Sequence, residues 1–247
     1  YTPSWGHGSC PVDVLVFAVC GSEQTEVEVC VTDSHLVLTY VASDDKLMKN
    51  TYTECNTETW NQEVRALHTC VLHPCLGFAS YGWVLFTQSP HHHACNFVCV
   101  QVMEVFIADQ SAPMTPAGDP TLYTEIELTP HNVLYVAKIH NPYGNGTDKH
   151  NTMIPCPASG INHTVERDPS DPNHTWIGKV QIPWTLVSTK GKPAPEALYR
   201  VNFFRVAMVE DVDVCDADTC DFGCWSPTYT QPPSFHVTPY FGVMSLV

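Results

Sequence analysis

Tyr123-Thr124-Glu125-Ile126-Glu127-Leu128-Thr129-Pro130 is the stretch that decides the fold class. Polar and apolar residues alternate with a period of two, which puts Glu125 and Glu127 on one face of an extended chain and Ile126 and Leu128 on the other. The proline then closes the run, because it offers no N–H to a strand ladder. On this pattern the two glutamates read as the wet face of an antiparallel sheet.

The same alternation recurs upstream in Glu26-Val27-Glu28-Val29-Cys30-Val31 and in Leu36-Val37-Leu38-Thr39-Tyr40-Val41. Further strands are expected at Val12–Cys20, Val102–Ala108, Val133–His140, Trp176–Ile182, Tyr199–Val209 and Gly242–Leu246. Twenty prolines punctuate the gaps, and no amphipathic helical stretch runs beyond two or three turns. Many short strands separated by turn signals predict an all-β protein, an antiparallel β-sandwich. Nothing in residues 1–247 reads as a linker, so a single domain is expected. Residues 64–100 stand apart as a Cys/His-rich insertion, with four cysteines and the triplet His91-His92-His93.

A chain of 247 residues buries roughly 70% of the surface its unfolded form exposes, so it supports a core of its own. Twelve cysteines add covalent staples: Cys10, Cys20, Cys30, Cys55, Cys70, Cys75, Cys95, Cys99, Cys156, Cys215, Cys220 and Cys224. Structural zinc favours paired C-x-x-C knuckles, and the chain has none. The even count fits disulfides formed in an oxidising compartment, with the pairing left open. Three acceptor sequons, at Asn145, Asn162 and Asn173, point to N-glycosylated loops and to the same compartment. The start at Tyr1 reads as a processed, secreted form.

A formal net charge of −15 repels phosphate backbones and anionic lipid, which argues against nucleic-acid and membrane-surface partners. No apolar run reaches the length of a membrane-spanning helix. Catalytic motifs are missing as well: there is no G-x-S-x-G elbow, H-E-x-x-H, P-loop or dinucleotide fingerprint.

Three constellations could still carry chemistry. His91-His92-His93 beside Cys95 suits a transition metal by ligand type, but consecutive residues on a strand cannot all face one ion. The acidic run Glu210, Asp211, Asp213, Asp216, Asp218 and Asp221 supplies oxygen ligands for calcium, yet lacks the glycine of an EF-hand loop. It reads as a disulfide-tied acidic loop, so no cofactor is expected and calcium is left unassigned. Glu125 and Glu127 are the kind of carboxylate pair that glycosidases use, although spacing alone does not distinguish them from an ordinary polar strand face. For sugar stacking, the aromatic candidates outside obvious strand cores are Trp60, Trp83, Trp225, Tyr229, Phe235 and Tyr240.

The C-terminal third carries a resemblance. Trp176-Ile177-Gly178-Lys179-Val180-Gln181-Ile182-Pro183-Trp184 and Tyr199–Val206 look like paired strands of the family 9 carbohydrate-binding modules. Cys224-Trp225-Ser226-Pro227-Thr228, then Pro233-Ser234-Phe235-His236-Val237, then Tyr240-Phe241-Gly242-Val243 resemble the family's closing signature. Val102-Met103-Glu104-Val105-Phe106-Ile107 is similar to an internal strand of the same family. The resemblance implies a carbohydrate-binding sandwich with Trp60 and Phe235 as the aromatic clamp and Glu104 as the carboxylate for sugar hydroxyls. The 64–100 insertion departs from it, falling between Trp60 and Val102 where the family has only a few residues.

Two functions follow as expectations. One is a secreted, non-catalytic glycoprotein binding extracellular glycan. The other is a structural protomer that pairs with copies of itself in a filament, coat or wall. No enzyme activity is expected of either.

Overall fold

A computed structural model describes residues 15–19, 25–43, 54–56, 102–109, 111–168, 170–192, 194, 197–208, 219–231 and 233–245. The strands are β1 (Leu15–Val19), β2 (Thr25–Val31), β3 (His35–Ala42), β4 (Val102–Asp109), β5 (Leu122–Leu128), β6 (Leu134–His140), β7 (His150–Met153), β8 (Asn162–Arg167), β9 (Trp176–Pro183), β10 (Leu198–Met208), β11 (Cys220–Cys224) and β12 (Gly242–Ser245). Two four-residue helices, α1 (Cys156–Ser159) and α2 (Trp184–Val187), precede β8 and follow β9.

All pairings are antiparallel and form two sheets, as the period-two pattern predicts. The first has the order β1-β2-β3-β9-β8, the second β11-β10-β4-β5-β6-β7. The eleven residues of β10 pair with β4 along one side. On the other side they pair with β12 at the start and with β11 at the end. Every expected strand is present. The three that sequence reading missed, β7, β8 and β11, are short and carry few apolar residues, so they lack an apolar alternation to reveal them.

The first sheet alternates cleanly: β3 and β9 present a buried residue at every second position. Its inner residues Val27, Leu36, Leu38, Tyr40, Trp176 and Val180 meet Met103, Val105, Ile107, Ile126, Leu128 and Phe203 of the second sheet, forming the inter-sheet core. Trp184 closes one end, donating its Nε1–H to the Thr32 carbonyl at 3.0 Å.

The central strands of the second sheet, β4, β5, β6 and β10, are buried on both faces. Its outward residues Phe106, Tyr123, Tyr135, Ile139, Phe204 and Val206 form a second apolar layer with Phe235 and Phe241 from the chain that follows β11. The reading of Glu125 and Glu127 as solvent-facing is therefore corrected: each is 1% exposed. The physical reason is this cover, which lies across the polar-reading side of β5.

Polar side chains of β10, buried Asn202 and half-buried Arg200, hold the cover by its backbone. Asn202 donates to the Ser226 carbonyl at 2.8 Å and accepts from the Ser226 N–H at 2.9 Å. Arg200 donates to the carbonyls of Phe241, Thr238 and Pro239. Gly242 is needed where it stands, because a Cβ there would lie 2.1 Å from the Trp225 ring. The tryptophan and glycine of the closing signature are thus one packing contact.

Cys55 pairs with Cys156 across 101 residues. Beside that bridge, Asn56 donates its backbone N–H to the Leu134 carbonyl and its side-chain Oδ1 accepts the Val136 N–H, which ties the segment to β6. Cys30 and Cys220 are also disulfide-bonded. Cys10, Cys20, Cys70, Cys75, Cys95, Cys99 and Cys215 lie outside the described residues, as do Trp60, Trp83, His91-His92-His93, the 64–100 insertion and the acidic run from Glu210 to Asp218. No helix among the described residues is long and apolar enough to cross a membrane.

Candidate functional site

The outer face of the second sheet concentrates the polar chemistry. Strand register places Phe204, Glu104, Glu127 and Tyr135 side by side on four neighbouring strands. Phe106, Glu125 and Ala137 form the next row. Carboxylate oxygens of Glu104, Glu125 and Glu127 all lie within 4.8 Å of one another, and each residue is 1% exposed. Hard oxygen donors this close could hold a divalent cation such as calcium. They also gather three carboxyl groups in a layer closed to solvent.

The neighbouring phenols are shifted by burial first and by these glutamates second. Burial, together with the charges of Glu125 and Glu127, raises the Tyr135 phenol well above the tyrosine range. Burial and Glu125 do the same for Tyr123, and burial with Glu104 does so for Tyr40 on the inner face. These hydroxyls stay protonated, and those of Tyr135 and Tyr123 are hydrogen-bonded. The Asn151 amide donates to the Tyr135 hydroxyl at 3.3 Å, and the Tyr123 hydroxyl lies 2.7 Å from His236 Nδ1.

His236 ties the acids to the cover. Its ring stacks on Phe106 with centroids 4.8 Å apart, its Nε2 stands 3.8 Å from Glu125 Oε1, and its carbonyl accepts the Asn141 amide at 2.8 Å. Burial, seconded by the charge of Lys149, holds its pKa well below the usual imidazole range. It is neutral at pH 7.

Of the residues implied by the resemblance, the structure brings two into this layer. Glu104 sits in the acid centre. Phe235 is 9% exposed and stacks face to face on Phe204 at 4.2 Å, so that ring face is engaged within the protein. Trp60 lies outside the described residues. The exposed rings on the cover are two others among the aromatic candidates, Tyr229 at 79% and Tyr240 at 39% exposure. They meet edge to face with centroids 5.6 Å apart and planes at 69°. Tyr229 adopts φ +52°, a left-handed conformation that is costly for a bulky side chain. Register and cover were invisible in sequence, so the convergence of Glu104, Glu125, Glu127 and His236 was missed.

Elsewhere, a cavity of about 220 Å³ opens at one end of the sandwich beside Lys138. Its ammonium is engaged by the Thr124 hydroxyl and the Leu186 carbonyl.

No family model matches the chain. The chain shares its fold with a candidate carbohydrate-binding protein from Bacteroides uniformis. That superposition covers 96% of this chain and 87% of the other, with a TM-score of 0.59 and 12% identity. Two structures of a family 9 carbohydrate-binding module from Caldicellulosiruptor kristjanssonii, with cellotriose and with glucose, align at TM-scores of 0.47 and 0.48 and 8% identity. They cover 95% and 96% of this chain and 82% and 84% of theirs. The antiparallel β-sandwich read from the sequence holds at the level of fold. In sequence, the chain is 31% identical over 145 residues to a protein from Arthroderma benhamiae named "Extracellular protein"; the match takes in 57% of this chain and 58% of that one.

Proposed function

We propose that this chain is a secreted, non-catalytic glycan-binding protein that meets carbohydrate at the corner formed by Tyr229 and Tyr240. The observation that carries this reading is the exposure of those two rings, at 79% and 39%, on a segment whose backbone is hydrogen-bonded to the sheet beneath. Holding Tyr229 in a left-handed conformation costs energy that burial of its ring does not return. Such strain is characteristic of residues kept for contact with something outside the protein. A phenol ring offers a flat apolar face to the C–H side of a pyranose and a hydroxyl to its oxygens.

The buried acids favour binding over hydrolysis. A general acid or nucleophile must touch the glycosidic bond, whereas Glu104, Glu125 and Glu127 are 1% exposed. In this reading Glu104 and Phe235 act from beneath, fixing the layer that carries the tyrosines, and Trp60 is a further ring for the same ligand. The whole chain is one sandwich unit bearing the 64–100 insertion. Secretion is supported by the name of the Arthroderma relative and by the described cysteine pairing.

The test is a pull-down on insoluble polysaccharides and a glycan array, comparing the parent with Tyr229→Ala, Tyr240→Ala and Trp60→Ala. The tyrosine variants are expected to lose about tenfold or more in affinity, about 1.4 kcal/mol, with unchanged unfolding transitions. A parent that binds no sugar sinks the reading. Loss in Trp60→Ala alone moves the contact to the position implied by the resemblance, and turnover of glycosides or esters would overturn the non-catalytic assignment.

A further inference from the structure

The three sequons fall on the segments that frame two consecutive edge strands. Among the described strands, β7 ends the second sheet and β8 ends the first. The chain passes from one to the other through α1 alone, so the two edges lie on the same side of the sandwich. Asn162 is the first residue of β8, and Asn173 stands in the turn that joins β8 to β9 at its other end. Asn145 lies in the loop that leads into β7. All three side chains are exposed. Asn145 Oδ1 accepts both the N–H and the hydroxyl of Thr147, which leaves its amide nitrogen as the group available for a glycan.

An edge strand displays unused N–H and C=O groups and is a template for pairing with another chain. β8 has six residues, and its far end bears exposed Glu166 and Arg167, charges of the kind that discourage such pairing. Its start and middle bear only Asn162, His163, Thr164 and Val165. That is the stretch a bulky glycan on Asn162 would cover.

We infer that N-glycans at Asn145, Asn162 and Asn173 shield the β7–β8 side of the sandwich and keep its two edge strands from pairing with strands of another molecule. The inference rests on the reading of the chain as secreted, and is independent of which sugar it binds. It also directs any self-assembly to other parts of the surface.

The experiment uses the full chain secreted from a eukaryotic host. Peptide mass mapping after enzymatic deglycosylation reads occupancy, and sedimentation velocity over a hundredfold concentration range reads association. The glycosylated parent is compared with the triple variant Asn145→Gln/Asn162→Gln/Asn173→Gln, and with the same variant carrying Thr164→Lys, which puts a charge in the middle of β8 without restoring any glycan. Occupied asparagines are expected, with tenfold or more tighter self-association of the triple variant and reversal of that association by Thr164→Lys. Unmodified Asn162 and Asn173 would overturn the inference, as would a triple variant that sediments like the parent. Association untouched by Thr164→Lys would place the contact away from β8 and overturn it equally. The polysaccharide pull-down, run on the same samples, reports on glycan binding separately.

Discussion

Glu26-Val27-Glu28 in β2 and Glu125-Ile126-Glu127 in β5 are nearly the same tripeptide in nearly the same alternating context, yet they end in opposite environments. Glu26 and Glu28 are exposed, as glutamates on one face of a two-layer sandwich ordinarily are. Glu125 and Glu127 are each 1% exposed and lie within reach of a third carboxylate, Glu104. Alternation records that a strand has two unlike faces. It does not record what lies against the polar one. In the first sheet that is water; in the second it is a further layer of chain carrying Phe235, His236 and Phe241.

The difference can be broken at its largest contact. Phe204 is fully buried in the outer layer, stacked on Phe235 at 4.2 Å and tilted against Phe106 at 4.9 Å. Phe204→Ala should cost about 3–5 kcal/mol in denaturant unfolding, whereas Glu28→Ala in the first sheet should change stability by less than about 0.5 kcal/mol. Equal, small effects would mean that the outer layer is not a packed core.

A smaller effect is expected at the seam between sheet and cover. Gly242→Ala pushes a methyl group against the Trp225 ring, and overpacking of this kind costs about 1–3 kcal/mol. Thermal unfolding followed by tryptophan fluorescence should show the loss, because the displaced ring is itself the reporter.

The subtlest consequence is a pH dependence that belongs to the covered face alone. His236 titrates well below its ordinary value of 6.5 when folded, through burial first and Lys149 second, so below that pH protons bind the unfolded chain preferentially. Its contribution to stability is complete above pH 6.5 and is lost as pH falls toward the folded value. Melting temperature should therefore drop as pH is lowered through the weakly acidic range, and His236→Gln should flatten that part of the profile. An unchanged slope in the variant would assign the dependence to other groups.

Much of the fold was legible. Strands built on two unlike faces, such as β2, β3, β5 and β9, announce themselves by period, and β4 and β10 by near-continuous apolar runs suited to burial on both sides. In hindsight those runs were the signal that the second sheet has two covered faces. β7 and β8 were illegible because edge strands need few apolar residues. The candidate site was less legible than the fold. Glu104 was picked out only through resemblance, and Phe235 was picked out as an exposed clamp but stacks on Phe204.

The sequence by itself determined an all-β antiparallel chain, its disulfide-forming composition, its acidic charge and its three sequons, because each is written in local pattern or in counts. Only the tertiary structure decided which glutamates are buried, which aromatic rings face outward and which strands are edges. Those properties depend on what packs against a residue from elsewhere in the chain, and a period of two is the same whether the polar face meets water or a second layer of protein.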